Sequence, residues 1–178
     1  MIKNTLNLGC GSDIRPDCIN LDRAPLSGVD VVHDLADLPL PFDDGRFDRI
    51  LARDVVEHVS NVVAFITEAH RLLRTGGELV IQVPHFSSRQ AYLDPTHVRP
   101  YAAGSFEYFV RGHQRNYYAE VQFSEMVNQR ITFDLSYHTF WNYALVRLVN
   151  LSPRWQRFYE STPLRVFPAL NLTVTLRK

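Results

Sequence analysis

The sequence lacks an excess of charge of either sign. Its 178 residues include 19 Lys and Arg side chains and 19 Asp and Glu side chains, so the formal net charge is zero. Proteins bind nucleic acids and anionic lipid surfaces largely through an excess of positive charge. We therefore expect no nucleic-acid partner.

Long apolar runs and cysteines are also scarce. No apolar run has the length of a membrane span, and the N-terminus lacks the pattern of a secretory signal. The two cysteines, Cys10 and Cys18, are too few for a disulfide scaffold and are interpreted as reduced thiols. Together these absences predict a cytoplasmic protein. No repeat or linker divides the chain, so residues 1–178 are predicted to form a single domain.

A short apolar run followed by a Gly-x-Gly turn stands near the N-terminus. Residues 5–8 predict a strand that ends at Gly9 and Gly11, and residues 18–22 predict a second strand that ends in Asp22. In open α/β sheets, ligands lie beyond the carboxyl ends of the strands, where glycine lets the backbone approach them closely. An acidic side chain on the neighbouring strand accepts hydrogen bonds from a ribose diol. The pattern predicts a nucleoside site.

The following segments alternate between strand and connection. Strands are predicted over 29–33, 47–52 and 78–83, and helical spacing predicts a helix over 56–74 that stops at Gly76-Gly77. Residues 12–17 are too few for the helix that normally links parallel strands. The sequence therefore predicts an α/β fold with a mostly parallel sheet, in which the first helix is reduced to a loop.

The second half of the chain has weaker patterns. Residues 85–101 are polar and loop-like. The later patterns favour a short helix over 105–110 and a strand from Phe123 to Leu135 whose odd positions are apolar except for Glu125 and Gln129. They also favour an amphipathic helix over 140–158 and a final strand over 170–177.

Several of these stretches resemble the class I S-adenosylmethionine-dependent methyltransferases, most of all their small type 11 subset. Besides residues 6–11 and Asp22, the resemblance is carried, in the family's order and at roughly its spacings, by His33–Leu35, Phe47–Leu51, Val55–Val59 and Leu72–Ile81. It covers about residues 5 to 84. It implies a Rossmann-like wound sheet of seven strands whose last strand is antiparallel and inserted inside the sheet edge. Residues 1–84 would form the cofactor-binding half and 85–178 the acceptor-side half.

The resemblance also implies a cofactor, S-adenosylmethionine, with S-adenosylhomocysteine as the product. Asp22 would bind the ribose hydroxyls, Asp34 the adenine amine, and Leu35 the adenine ring. The implied cofactor-binding positions are Asn7, Gly9, Cys10, Gly11, Asp13, Asp22, Asp34, Leu35, Arg53 and Asp54. Each acid also has a structural alternative: Asp22 as a turn residue, Asp34 as a helix cap, and Asp54 in a surface pair with Arg53.

Two positions depart from the family pattern. The acid that normally precedes the first glycine by two residues is Asn7 here, and the usual third glycine is Asp13. The carbonyl oxygen of Asn7 is able to accept a hydrogen bond from the methionine ammonium, although without a charge. We expect Asp13 to restore a carboxylate nearby.

The acceptor side is implied to follow the fifth strand. Here His85, Asp94 and His97 are candidates for general base catalysis on a hydroxyl or amine; the alternative is that Asp94 and His97 fix the loop's shape. No regular element aligns these three as metal ligands, so no metal site is predicted. Glu57 and His58 are interpreted as structural residues at a helix start. Aromatic residues that would line an acceptor pocket, or belong to the core, are Phe106, Tyr108, Phe109, Tyr117 and Tyr118.

The resulting prediction is a methyltransferase that acts on a small molecule, a sugar or a lipid head group, as a monomer or homodimer. The main alternative is a non-catalytic relative that binds the nucleoside donor or a protein partner. A nicotinamide-dependent oxidoreductase is disfavoured, because its third glycine and its acid about 20 residues further on are missing.

Overall fold

A computed structural model describes residues 3–114, 119, 121–136 and 141–178. Within these residues, seven strands form one sheet in the order β3-β2-β1-β4-β5-β7-β6. The strands are β1 (Thr5–Leu8), β2 (Cys18–Asp22), β3 (Val31–Val32), β4 (Phe47–Arg53), β5 (Leu73–Pro84), β6 (Glu125–Ile131) and β7 (Asn171–Arg177). Strands β1 to β5 are parallel, and β7 lies antiparallel between β5 and β6. The predicted fold class is confirmed.

Four α-helices are present in the described residues: α1 (Val62–Leu72), α2 (Gln90–Leu93), α3 (Asn142–Val149) and α4 (Pro153–Ser161). Single 3₁₀ turns occur at Val56–His58, Glu107–Phe109 and Pro163–Val166. Residues 9–17 connect β1 to β2 without a helix, as predicted. Among the helices that the structure describes, none combines the length and the apolar composition needed to cross a membrane.

The core lies on one face of the sheet. Residues that pair across neighbouring strands share a face, and the fully buried members of this face include Leu6, Leu8, Ile50, Leu79, Ile81 and Val174. Side chains of α1 (Phe65, Ile66), α3 (Val149) and α4 (Tyr159) join the same core. The opposite face carries a groove lined by polar side chains such as Arg49, Arg53, Gln82 and Thr173. The residue 9–17 loop therefore borders a polar sheet face.

The helix predicted over 56–74 is shorter in the structure. The chain first makes the 3₁₀ turn at Val56–His58, and α1 begins where the side chain of Asn61 accepts a hydrogen bond from Ala64 N at 3.1 Å. The helix ends at Leu72 because Leu73 is extended and pairs with Phe47. Gly76 and Gly77 lie within β5, so the prediction that they terminate the helix is wrong.

The helix predicted over 140–158 is two helices. Phe140 lies outside the described residues, α3 ends at Val149, and α4 begins at Pro153 with Ser152 as its cap. Proline has no N–H and clashes with the preceding turn, so it starts a helix more readily than it continues one.

The strand predicted from Phe123 to Leu135 is also shorter, since β6 covers Glu125–Ile131. A register shift between Met126 and Asn128 removes Val127 from the alternation and leaves it 42% exposed. Leu135 is exposed to the same extent, so the apolar odd positions do not share one buried face.

His70 provides a test of how the core responds to acid. Its ring lies edge-on against Phe123, with ring centroids 5.1 Å apart, and burial, with a smaller effect of Lys178, lowers the pKa of His70 from 6.5 to about 4. Between these values the unfolded chain binds a proton that the folded chain excludes. Stability from this group is therefore complete above pH 6.5 and is lost as the pH falls towards 4.

We expect the His70→Gln variant to lose less stability than the natural protein on acidification. Between pH 7 and pH 4.5 the difference should amount to about 2 kcal/mol, because one pKa unit corresponds to about 1.4 kcal/mol. Urea unfolding of both proteins at several pH values measures it. If the free energy of unfolding depended on pH in the same way in both proteins, His70 would not be the source of the acid sensitivity.

Candidate active site

The glycine turn and Asp22 lie together at the carboxyl ends of β1 and β2. Gly9 and Gly11 have positive φ angles of 58° and 48°. The two carboxylate oxygens of Asp22 accept hydrogen bonds from Gly11 N at 2.7 Å and from Ala24 N at 2.9 Å. The backbone N–H of Cys10 donates to Leu21 O at 3.1 Å. The turn is thus fastened directly to the end of β2.

The two glycines have different surroundings. A Cβ atom on Gly9 would lie 2.4 Å from Cγ2 of Val55, whereas a Cβ on Gly11 would have no neighbour within 4 Å among the residues that the structure describes. Gly9 therefore permits close packing of β1 against the residues that follow β4. The space beyond Gly11 is open, as a ligand in contact with the backbone would require.

Asn7 is 2% exposed and donates from its amide to Asp13 O at 2.8 Å and to Asn20 Oδ1 at 3.1 Å. Asn20, equally buried, donates to Arg15 O at 2.9 Å, and its backbone N–H donates to Asp30 Oδ2 at 2.8 Å. These contacts hold the residue 9–17 loop on the polar sheet face. A contact between Asn7 and the methionine ammonium stays a prediction.

Sequence reasoning missed Asn20. Asn7 and Asn20 are paired in the register of β1 and β2, so two polar residues on the same sheet face were the available signal. Their side-chain amides bond to each other and to the residue 9–17 loop, and they hold this loop over a sheet face that lacks the usual helix.

Asp13 is held by two guanidinium groups. Its Oδ2 accepts from Arg15 Nε and Nη2 at 3.1 and 3.0 Å and lies 3.8 Å from Arg53 Nη1. Arg53 also donates to Gln82 Oε1 at 3.3 Å. The carboxylate is therefore already paired with cations. Its role towards the donor stays a prediction.

Asp54 has an unusual backbone. Its φ of 53° makes it a non-glycine residue in the left-handed region. Its backbone N–H donates to Gln82 O at 2.8 Å, and its side chain accepts from Gln82 Nε2 at 3.0 Å. Burial raises the pKa of Asp54. Backbone strain of this kind is concentrated at functional sites. The positive φ of Asp54 also turns the chain from β4 towards the 3₁₀ turn at Val56–His58.

Asp34 and Leu35 follow β3, the strand beside β2. Asp34 is exposed, and its Oδ1 accepts from Ala36 N at 2.9 Å. This contact makes a turn rather than a helix cap, since no helix follows in residues 33–46. Leu35 packs against the core. Both residues therefore lie at the same sheet edge as Asp22, and their contacts with adenine stay a prediction.

A cleft of about 670 Å³ opens beyond β4 and β5. It is lined by Asp54, Glu57, His58, Pro84, Gln90, Leu93, Asp94, Pro95, His97, Leu170 and Asn171. The structure thus brings the predicted residues Asp94 and His97 together with Glu57 and His58, which were interpreted as structural. His85 does not belong to this lining.

His85 is completely buried beneath the loop. Its Nε2 lies 2.9 Å from Glu160 Oε1 and its Nδ1 lies 2.9 Å from Ser87 Oγ, which is itself 3.1 Å from Tyr159 Oη. Both ring nitrogens are therefore engaged within the protein. These contacts favour a role for His85 in fastening the loop to α4, and the hypothesis that it contacts the acceptor stays a prediction.

We expect His85→Ala to destabilise the fold by about 3 kcal/mol, because it leaves the Glu160 carboxylate without its buried partner. His97→Ala is the matched control and should cost less than about 1 kcal/mol, since His97 is only half-buried. Urea unfolding compares the two variants. Equal destabilisation by the two substitutions would show that the buried His85–Glu160 pair contributes no more to the free energy of unfolding than a half-buried histidine does.

Asp94 shapes its own loop. Its Oδ1 accepts hydrogen bonds from the backbone N–H of Thr96 at 2.8 Å and from its hydroxyl at 2.7 Å. These bonds lower the pKa of Asp94. The arrangement favours the structural alternative for Asp94, while its catalytic role stays a prediction.

The aromatic residues belong mostly to the core. Phe106 and Phe109 are buried, with 1% and 4% exposure, and Tyr108 packs against the same cluster. Tyr117 and Tyr118 lie outside the described residues. Phe106, Tyr108 and Phe109 are not among the residues that line the cleft.

Comparison with known proteins relates the first half of the chain to a methyltransferase family. A family model described as a methyltransferase domain matches residues 5–81, which include the glycine turn, Asp22 and Asp34. These residues are similar to the class I S-adenosylmethionine-dependent methyltransferases. The cofactor of this methyltransferase family is S-adenosylmethionine.

Two curated relatives have similar sequences. A "Probable S-adenosylmethionine-dependent methyltransferase" of Mycolicibacterium smegmatis is 33% identical over 119 residues, which are 54% of this chain and 46% of the relative. A demethylmenaquinone methyltransferase of Tropheryma whipplei is 34% identical over 86 residues, which are 48% of this chain and 35% of the relative. The chain thus spans less than half the length of these relatives.

Solved structures share the fold of this methyltransferase domain. A SAM-dependent methyltransferase from Archaeoglobus fulgidus has a TM-score of 0.66 at 16% identity, over 98% of this chain and 85% of that one. The cyclase SpnF has a TM-score of 0.57 at 19% identity, over 98% and 73%. At such identities the likeness concerns the fold alone.

Proposed function

We propose that this chain transfers a methyl group from S-adenosylmethionine to a small-molecule, sugar or lipid-head acceptor. The observation that carries the proposal is the junction after β4. There Val55 packs directly against Gly9, while its neighbours Asp54 and Glu57 line the cleft. A donor on the glycine turn and an acceptor in the cleft would therefore meet at the carboxyl end of β4.

The reaction itself asks mainly for alignment. The acceptor atom attacks the methyl carbon in line with the bond to sulfur, the sulfonium leaves as a neutral thioether, and the acceptor loses a proton. Because the methyl group is already activated by the positive sulfur, the protein contributes proximity and orientation.

The donor would lie across the ends of β1, β2 and β3. Asp22 would bind the ribose hydroxyls with its two oxygens, each of which has a further lone pair beside its present contact with Gly11 N or Ala24 N. Asp34 would accept from the adenine amine. Arg53 would lie beside the methionine part, through its backbone carbonyl.

The cleft suits an acceptor of modest size and polar character. Its volume of about 670 Å³ is typical of small-ligand sites. His97 reaches it from the loop after β5 and would take the proton of an acceptor hydroxyl or amine. The zero net charge of the chain supports such an acceptor over nucleic acid.

The test is the release of S-adenosylhomocysteine from S-adenosylmethionine in the presence of panels of hydroxyl, amine and sugar acceptors, followed by mass spectrometry. Acceptor-dependent product, lost in Asp22→Ala, is the expected result. Binding of the donor without turnover on any panel would favour the non-catalytic alternative instead.

That alternative is supported by one specific observation. Asp13, the candidate replacement for the family's acid, is already paired with Arg15 and close to Arg53. A fold of this type also hosts chemistry named as cyclisation in SpnF. A nucleoside-binding protein without methyl transfer is therefore the second candidate.

A further inference from the structure

The acceptor cleft contains a cluster of three side chains, of which the proposed methyl transfer uses only His97. Glu57 and His58 come from the 3₁₀ turn after β4, and His97 comes from the loop after β5. One carboxylate oxygen and one nitrogen from each imidazole lie within 4.8 Å of one another. Three groups with metal-ligand chemistry thus converge from two separate segments.

Glu57 is the first sign that the cluster is built for a ligand. The side chain is 2% exposed, and its Oε2 has no hydrogen-bond partner among residues 3–114, 119, 121–136 and 141–178. A buried carboxylate oxygen without a partner is costly. A cation bound at Oε2 would supply the missing interaction.

The hydrogen bonds of the histidines are the second sign. Thr96 Oγ1 donates its hydrogen to Asp94 Oδ1 at 2.7 Å, so its contact with His58 Nδ1 at 2.8 Å requires that Nδ1 carries the proton. His97 Nδ1 lies 3.2 Å from Ala91 O, which only accepts, so this Nδ1 carries a proton as well. In the neutral imidazoles, each Nε2 therefore keeps its lone pair.

Such outer contacts are typical of metal sites. A histidine ligand normally donates its other N–H to a carbonyl, a carboxylate or a similar acceptor, which fixes the tautomer and the orientation of the ring. His58 and His97 have these contacts in the described structure, with ring centroids 4.7 Å apart. The carboxylates of Asp54 and Asp94 line the same cleft and add negative charge that attracts a cation.

We propose that Glu57, His58 and His97 bind one divalent transition-metal ion of the zinc class. Two imidazoles and one carboxylate are a ligand set of catalytic zinc sites, which keep a further position open. Zinc ligands lie about 2.0–2.2 Å from the metal. The three groups must therefore move together by roughly 1 Å, which side-chain rotation supplies.

Because Glu57, His58 and His97 line the acceptor cleft, an open position of the bound ion would be accessible from it. Resting on the proposed function, an acceptor hydroxyl bound there would lose its proton more readily, because a bound divalent ion stabilises the oxyanion. Metal binding itself is independent of the methyl donor. It can therefore be tested without S-adenosylmethionine.

The experiment titrates tag-free, chelator-treated protein with zinc chloride by calorimetry, and with cobalt chloride by visible absorption. We expect one ion per chain, and visible absorption bands of protein-bound cobalt that rise until that ratio is reached. His97→Ala and Glu57→Gln should each weaken binding at least tenfold. His113→Gln, which removes a histidine outside the cleft, should bind as the natural protein does.

Two results would overturn the proposal: no stoichiometric binding, or binding that is equally strong in all variants. Thermal unfolding shows whether each variant is folded. If His97→Ala is not folded, the nearly isosteric Glu57→Gln variant tests whether the cluster binds the ion. A separate titration of the natural protein with S-adenosylhomocysteine distinguishes failure of the metal site from failure of the methyltransferase assignment.

Discussion

Replacing Asp22 with alanine should weaken the binding of S-adenosylhomocysteine at least 100-fold. Two hydrogen bonds from the ribose diol to a carboxylate contribute about 3 kcal/mol together, which corresponds to about a factor of 100 in the dissociation constant. The substitution also removes the acceptors of Gly11 N and Ala24 N. Calorimetric titration of the purified variant measures the loss.

Two further variants make this result specific. Asp22→Asn keeps the size of the side chain but loses the charge, so its affinity should lie between those of the alanine variant and the natural protein. Asp17→Ala removes an exposed carboxylate just before β2 and should leave binding unchanged. A folded Asp22→Ala variant with natural affinity would remove Asp22 from the cofactor site.

Gly9→Ala and Gly11→Ala should separate the packing of the turn from its contact with the ligand. Both positions have a positive φ, which costs alanine about 1–2 kcal/mol. At Gly9 the new Cβ would also meet Cγ2 of Val55 at 2.4 Å, and Val55 is β-branched and rotates poorly. We expect Gly9→Ala to lose about 3 kcal/mol of stability in total.

Gly11→Ala should reduce stability less than Gly9→Ala does, but it should strongly reduce the affinity for the ligand. Its Cβ would have no neighbour within 4 Å in the described part of the chain, so the loss of stability should be about 1 kcal/mol. The same methyl group occupies the space where the donor would lie, and affinity should fall at least tenfold. Urea unfolding and calorimetry measure both quantities. A Gly9→Ala variant as stable as Gly11→Ala would contradict the packing of Gly9 against Val55.

The cofactor half of the fold was predictable because its signals are local. Strands β1, β2 and β4 are short runs whose ends are marked in the sequence, and the shortness of residues 12–17 excluded a helix. Asp22 and the glycine turn are joined by hydrogen bonds in the structure because adjacent parallel strands end at the same edge. The resemblance to the family added the number of strands and the antiparallel position of β7 inside the sheet edge.

The acceptor half was less predictable because its contacts are distant in sequence. His85 meets Glu160 across 75 residues, and no local pattern announces that pair. The Glu57, His58 and His97 cluster joins a turn and a loop about 40 residues apart, so spacing alone could not reveal it. By contrast, the break between α3 and α4 had a local signal in Ser152 and Pro153 that was overlooked.

A crystal structure of the chain with S-adenosylhomocysteine tests the central claim most directly. The account predicts the ribose hydroxyls within hydrogen-bond distance of Asp22, the adenine amine at Asp34, and the thioether sulfur facing the cleft beside Glu57 and His97. The account would be contradicted if S-adenosylhomocysteine bound elsewhere on the chain. It would also be contradicted if crystals grown with saturating S-adenosylhomocysteine contained none at the ends of β1 and β2.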